Sequence, residues 1–306
     1  MRRFLSIKFP IFNLSCYAFR TMQRIRDVVA VITGAGSGIG RALAQQLVKE
    51  GALVALGDVN AAGLEETRRL AGADHAKTYI VDVSRAVEVE RFAHQVEKDF
   101  GRVSLLVNNA GVALFGSFAE VTLEDMEWLI QINFWGVVYG CKFFLPLLRR
   151  EKEAHIVNVS SVFGLIGPPG QTAYAASKFA VRGFSESLRE ELRATGPIKV
   201  TTVHPAGVAT PIAENARAGE GSKAEARVQA KEHFKKLAVI TPEEAASEII
   251  KGIRGDKTRV LIGKDAYRID RIQRLFPARA SAMFADWLAK RANRKEARVA
   301  QASANK

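Results

Sequence analysis

Short apolar runs rich in β-branched residues alternate along this chain with longer stretches whose apolar residues recur at helical spacing. Asp27 to Thr33 (DVVAVIT) is apolar at nearly every position and stops at glycines, the pattern of a strand buried on both faces of a parallel sheet. Ile39 to Glu50 is apolar at helical spacing and ends before Gly51. The same alternation predicts strands at Ala52 to Leu56, Lys77 to Val81, Val103 to Val107, Ala154 to Val159, Lys199 to His204 and Val260 to Ile262. Between them it predicts helices over roughly 61–71, 85–99, 122–148 and 171–195, and from Pro242 to about 253. Strands separated by helices at this interval pair in parallel, with helices on both faces. The expected fold class is therefore α/β: one doubly wound domain over 27–265 with a sheet of about seven strands. No internal repeat and no Pro/Gly/Ser-rich linker divides it. Residues 211–236 are polar and helix-prone and read as a lid.

Composition adds two limits. Two cysteines in 306 residues, Cys16 and Cys141, build neither a disulfide framework nor a thiolate metal site, which suits a reducing compartment such as the cytoplasm. His75, His94, His155, His204 and His233 have no metal-ligand spacing with cysteines or acids, so they read as structural and no metal is expected. The net charge of +13 is uneven. Residues 1–26 carry +6 and residues 251–306 carry +10, which leaves −3 for the middle. No nucleic-acid motif accompanies the basic ends, so no nucleic-acid partner is expected. Phe4 to Phe19 is too short to span a bilayer and is broken by Lys8, Pro10 and Asn13. Residues 1–26 read as a poorly ordered or surface-lying basic extension. The alternatives are a start misassigned upstream of Met22, or a signal peptide introduced by Arg2 and Arg3.

The candidate chemistry begins at Thr33-Gly34-Ala35-Gly36-Ser37-Gly38-Ile39-Gly40, which joins the first predicted strand to the first helix. Glycines there permit a tight turn, close approach of a phosphate, and helix–sheet packing, while the helix N-terminus offers free N–H groups. This is the dinucleotide-binding pattern of a Rossmann domain in its required strand–turn–helix context. Asp58 follows the second strand, where a carboxylate accepts hydrogen bonds from the adenosine ribose and repels a 2′-phosphate. Its neighbours are Gly57 and Val59, and Ser37 in the turn is not basic, so NAD is expected rather than NADP.

Further motifs make the chain resemble the short-chain dehydrogenase/reductase family from about residue 27 to 265. They are T-G-x-x-x-G-x-G at 33–40, Asp82 between Val81 and Val83, Asn108-Asn109-Ala110-Gly111, Asn133 with Gly136, and Tyr174-Ala175-Ala176-Ser177-Lys178. Ser161 stands thirteen residues before Tyr174, the family's spacing, whereas Ser160 is one residue off. One departure is Pro205-Ala206-Gly207, where the family has Pro-Gly, which puts the nicotinamide loop in doubt. Phe134-Trp135-Gly136, Gly164-Leu165-Ile166 and the run Lys178 to Phe184 look most like bacterial members of uncertain substrate.

The resemblance implies that Tyr174 moves a proton at the substrate oxygen, as base in alcohol oxidation and acid in carbonyl reduction. A free phenol has a pKa of about 10. Lys178, one helical turn on, is expected to lower it and to grip the nicotinamide ribose. Ser161 is expected to hold the substrate oxygen, and Asn133 to anchor a water beside Lys178. The cofactor set implied is Gly34, Ser37, Gly38, Ile39, Gly40, Asp58, Asp82, Val83, Asn109, Ala110, Gly111, Tyr174, Lys178, Pro205, Val208 and Thr210. Cleft walls expected at Leu114, Phe115, Phe118, Phe163, Leu165 and Ile166 suggest a small-molecule alcohol or ketone with an apolar body, although these residues could equally be core. The basic, amphipathic extension over 266–306, including Tyr267 to Phe276 and Phe284 to Leu288, is expected to pack on its own body or another subunit rather than on a membrane. A homodimer or homotetramer is implied by resemblance alone. The competing readings are a catalytically silent NAD-binding regulator and a membrane-surface lipid-, steroid- or retinoid-type dehydrogenase.

Overall fold

The computed structural model describes Met22, residues 24–219, Gly221, Glu232, Lys235, residues 237–287 and residues 289–290. The N-terminal apolar stretch, Cys16, His233 and most of the expected lid lie outside the described residues. Seven strands form one parallel sheet: β1 (Val29–Thr33), β2 (Leu53–Asp58), β3 (Ala76–Ile80), β4 (Leu105–Asn108), β6 (Ala154–Val159), β7 (Ile198–Pro205) and β9 (Arg259–Ile262). Their order across the sheet is β3-β2-β1-β4-β6-β7-β9. The near-continuous apolar runs have the expected cause, since every residue of β1, β4 and β6 is buried.

Successive side chains of each strand feed opposite core layers. Ile32, Leu56, Leu105 and Val107 pack with Leu43 and Leu47 of α1 (Gly38–Lys49) and with Ile249 and Ile253 of α7 (Pro242–Arg254). Val31, Ala55, Leu106 and Ile156 pack with Phe92 and Val96 of α3 (Ala86–Phe100), Phe144 and Leu148 of α5 (Gly136–Leu148), and Val181 and Leu192 of α6 (Thr172–Thr195). The sheet is thus covered on both sides. Helix α2 (Ala61–Ala71) joins β2 to β3 within the bounds its spacing predicts.

Two features depart from the sequence pattern. The helix expected over 122–148 is α4 (Leu123–Ile130) and α5 joined by a five-residue π-helix, Gln131–Trp135. Such wide turns concentrate at functional sites because they redirect one side chain, and this one carries Asn133. A two-stranded sheet also forms between β5 (Leu114–Phe115) and β8 (Arg217–Ala218), too short to show as a run. The described part of the C-terminal extension packs on its own body, one of the two placements its amphipathic pattern allowed. Helix α8 (Lys264–Leu275) and helical residues 280–287 fold back over the loop after β6. Arg259 of β9 fixes α8 by donating to Asp270 at 2.7 Å and to Glu186 of α6 at 2.8 Å.

The strand order reverses between β1 and β4, because the chain runs outward through β2 and β3 and returns on the other side of β1. A crevice opens at such a reversal, beyond the carboxyl ends of the strands. Every feature of the candidate site is arranged around it.

Candidate active site

The turn after β1 is shaped by positive backbone φ at Gly34 (65°) and Gly38 (52°), a region that disfavours any side chain. A Cβ on Gly40 would stand 2.3 Å from the Gly34 carbonyl oxygen, so the helix start presses directly on the turn. Thr33 and Asn109 lock the two strands that flank the crevice. Thr33 Oγ1 accepts from the backbone N–H groups of Asn109 and Ala110, each at 3.1 Å. Asn109 Nδ2 donates to the carbonyls of Thr33 at 3.0 Å and Gly34 at 3.1 Å. The glycine turn is therefore held to the Asn-Asn-Ala-Gly segment by four hydrogen bonds.

Asp58 sits at the end of β2 and accepts from Gly36 N–H at 2.9 Å and from Asn60 N–H at 3.0 Å. Arg41 reaches the back of the turn, but its guanidinium donates to the carbonyls of Gly36 and Gly63 and to Thr67 Oγ1, and it does not line the cleft. Asp82 accepts from Ser84 N–H and Oγ. A Cβ on Gly136 would stand 2.9 Å from Val83 Cγ2, which shows how closely the start of α5 approaches that strand end.

One cleft of about 2210 Å³ gathers most of the residues singled out by sequence. It is lined by Gly34, Ser37, Gly38, Ile39, Asp58, Asp82, Val83, Asn109, Ala110 and Gly111, and by Pro205, Val208 and Thr210. Ser161, Tyr174 and Lys178 line the same cleft. Its size exceeds the ~300–1,000 Å³ of a single ligand site and leaves room for two molecules. Gly40 and Asn133 act from behind it. Asn133 is fully buried; its Oδ1 accepts from Val112 N–H at 2.8 Å, and its Nδ2 donates to the Val112 carbonyl at 3.0 Å and to Ser177 Oγ at 3.2 Å. Ser177 Oγ in turn donates to the Tyr174 carbonyl at 2.7 Å. The π-helix is thereby tied to the first turn of α6, where Tyr174 sits.

The structure separates the two neighbouring serines. Ser160 Oγ donates to the Lys178 carbonyl at 2.8 Å, and a Cβ on Gly164 would collide with it, so Ser160 is committed to packing. Ser161 Oγ caps a short turn by accepting from Phe163 N–H at 3.1 Å and stands beside the Tyr174 phenol. His204, treated from sequence as structural, lies directly beneath. Its Nδ1–H donates to the Ser161 carbonyl at 2.8 Å, and its buried Nε2 has no partner among the described residues. A carbonyl only accepts, so the proton must be on Nδ1. Burial holds this imidazole neutral, pushing it down to about 4. A contact to a backbone carbonyl 43 residues away leaves no mark in the spacing of the histidines.

Several expectations are corrected. The expected wall segments Val112 to Phe118, Val162 to Pro169 and 205–236 each contribute residues to the cleft, but of the large apolar side chains singled out only Phe115 and Phe163 line it; Leu114, Leu165 and Ile166 are buried core residues, and Phe118 is 67% exposed. Their apolar character reflects packing instead. Ile269, Ile272, Met283, Phe284 and Trp287 supply wall residues that sequence did not place there. The Pro-Ala-Gly departure is real in space: a Cβ on Gly207 would meet the Leu237 carbonyl oxygen at 2.2 Å, so the glycine is required one place later than in the family pattern.

The expected lowering of the Tyr174 phenol by Lys178 is not what the chain alone produces. Desolvation by the surrounding protein pushes Tyr174 up to about 12, against a smaller lowering by Ser161. Lys178 Nζ lies 5.7 Å from the ring centroid and donates to the Val159 carbonyl at 3.1 Å, and burial pushes it down to about 8. Between about pH 8 and 9 the unfolded chain keeps a proton on this lysine that the folded chain has largely shed, while Tyr174 is protonated in both states. Stability should therefore rise with pH over this window, by on the order of 1 kcal/mol. Thermal melts of the protein without nucleotide should show the rise, and Lys178→Met should abolish it.

The chain matches known proteins over most of its length. The family model for short chain dehydrogenase matches residues 28–221. SadH, a putative oxidoreductase of Mycobacterium tuberculosis, is 44% identical over 272 residues, which is 88% of this chain and 98% of the relative. Epidermal retinol dehydrogenase 2 of Mus musculus is 36% identical over 271 residues, covering 87% of this chain and 84% of the relative. A solved short chain dehydrogenase/reductase from Burkholderia phymatum, in complex with NAD, aligns with a TM-score of 0.78 at 32% identity, covering 83% of this chain and 95% of that one.

Proposed function

The chain belongs to the short chain dehydrogenase family of oxidoreductases, and on that footing we propose that it interconverts an apolar alcohol and its ketone or aldehyde with NAD, Tyr174 moving the proton. The observation that carries this reading is the placement of Ser161, Tyr174 and Lys178 in the same cleft as the glycine turn and Asp58.

The nucleotide half of the cleft fits a dinucleotide. Gly34, Gly38 and Gly40 leave backbone where a side chain would stand, and the start of α1 offers N–H groups toward a pyrophosphate. Asp58 is the ribose acceptor and disfavours a 2′-phosphate by charge. Asp82, Val83, Asn109, Ala110 and Gly111 flank the adenine side, and Pro205, Val208 and Thr210 the nicotinamide side. The bound nucleotide would supply the hydride acceptor or donor and, in its oxidised form, a positive charge near the phenol.

At the reacting oxygen, Ser161 donates to the substrate and orients it, with its backbone fixed from below by His204. Tyr174 takes the alcohol proton in oxidation and returns it in reduction. Its position is set by Phe163 against the ring and by the Asn133–Ser177 chain under its carbonyl. The phenol's rise to about 12 leaves it protonated at neutral pH, so oxidation needs added positive charge to draw it down. The test is a panel of apolar secondary alcohols and their ketones with NAD and NADP, following nucleotide absorbance. Turnover with NAD in preference to NADP supports the reading. Tight NAD binding with no redox change in either direction would favour a silent nucleotide-binding protein.

A further inference from the structure

The cleft beside Tyr174 is closed by a part of the chain that lies beyond the residues 28–221 matched by the family model. Ile269 and Ile272 of α8, with Met283, Phe284 and Trp287 from helical residues 280–287, face into it. Their rings continue an aromatic series that starts at the reacting tyrosine. Phe163 meets Tyr174 edge-on at 6.2 Å and 89°, Phe284 meets Phe163 at 6.1 Å and 70°, and Trp287 stacks on Phe284 at 5.7 Å and 29°.

The position of this series is fixed. Val162, Leu165 and Ile166, immediately after Ser161, form one apolar cluster with Ala266, Ile269 and Ala280, with Phe163 and Phe284 packed against it. Gly167 N–H donates to Ser281 Oγ at 3.1 Å. On its other side α8 is held through Asp270, which accepts from Arg259 of β9 at 2.7 Å. The loop that carries Ser161 and the segment that carries Phe284 are therefore packed directly on each other. Trp287 and Met283 each keep 40% exposure while lining the cleft, so apolar surface stays open there.

We infer that Phe163, Phe284 and Trp287 form the specificity wall for an elongated apolar alcohol or ketone, whose oxygen sits at Tyr174 and whose tail runs along the aromatic series. The inference rests on Tyr174 being the proton-moving residue. It adds the direction in which the substrate extends and assigns its recognition to the C-terminal segment.

The test compares a secondary decanol with a secondary propanol as substrates of the full chain and NAD. The ratio of their kcat/KM values should favour decanol, and Trp287→Ala and the milder Phe284→Leu should each lower that ratio about tenfold, the scale on which apolar pockets discriminate substrate length. A ratio that both variants leave unchanged overturns the wall. A second readout needs no turnover: titration with a decanone should change tryptophan emission, and Trp287→Phe should remove most of that change. Emission that responds equally in Trp287→Phe also overturns the wall. If the wild type binds NAD but neither oxidises these alcohols nor reduces their ketones, the reading of Tyr174 fails, and the titration decides the wall by itself.

Discussion

Tyr174→Phe is expected to lower kcat by about 10²- to 10⁴-fold, the usual contribution of a positioned general acid–base, while leaving the dissociation constant for NADH near its wild-type value. The substitution removes one oxygen. The ring keeps its edge-on contact with Phe163, and the backbone keeps the Ser177 hydrogen bond under its carbonyl, since neither involves the hydroxyl. The loss should therefore appear in the chemical step, not in folding or nucleotide affinity. Fluorescence titration with NADH alongside steady-state turnover separates the two. A variant that keeps a substantial share of its turnover would remove Tyr174 from the mechanism.

Asp58→Ala should weaken NAD by roughly tenfold to a hundredfold, since a hydrogen bond to a charged acceptor contributes about 1.5–3 kcal/mol. It should also relax discrimination against NADP. Part of the effect is indirect, because Asp58 accepts the Gly36 N–H and so shapes the turn itself. Asp58→Asn distinguishes the contributions: the amide oxygen can still accept from Gly36, but the negative charge that repels a 2′-phosphate is gone. Asn should therefore recover much of the NAD affinity lost in Ala while remaining tolerant of NADP. Isothermal titration with both nucleotides reads this directly. A wild-type protein that binds NADP more tightly than NAD would refute the role given to Asp58.

The α/β sheet was legible in the sequence because a strand buried on both faces must be apolar throughout, and such runs stand out between amphipathic helices. The glycine turn was legible for the same kind of reason: positive φ at Gly34 and Gly38 and the crowding at Gly40 leave few residue choices. What stayed hidden depends on contacts across long separations. Leu165 and Ile166 read as cleft wall because apolar residues look alike in either role, and only the packing of Ala266 and Ile269 over them makes them core. The C-terminal segment showed its amphipathic pattern but not what its apolar face would cover. The break in the helix over 122–148 left no signal, since Gln131 to Trp135 is as helix-compatible in pattern as its surroundings. The rise of the Tyr174 phenol in the chain alone is not legible in sequence, because a lysine one turn away is visible there whereas desolvation by burial is not.

The central claim is that a hydride leaves the carbinol carbon in this cleft while Tyr174 takes the hydroxyl proton. A secondary decanol deuterated at its carbinol carbon, incubated with the protein and NAD, tests this most directly. Magnetic resonance of the recovered nucleotide should show deuterium on the nicotinamide ring with the wild type and almost none with Tyr174→Phe. Reduced nucleotide without deuterium, or equal transfer by the variant, would contradict the account.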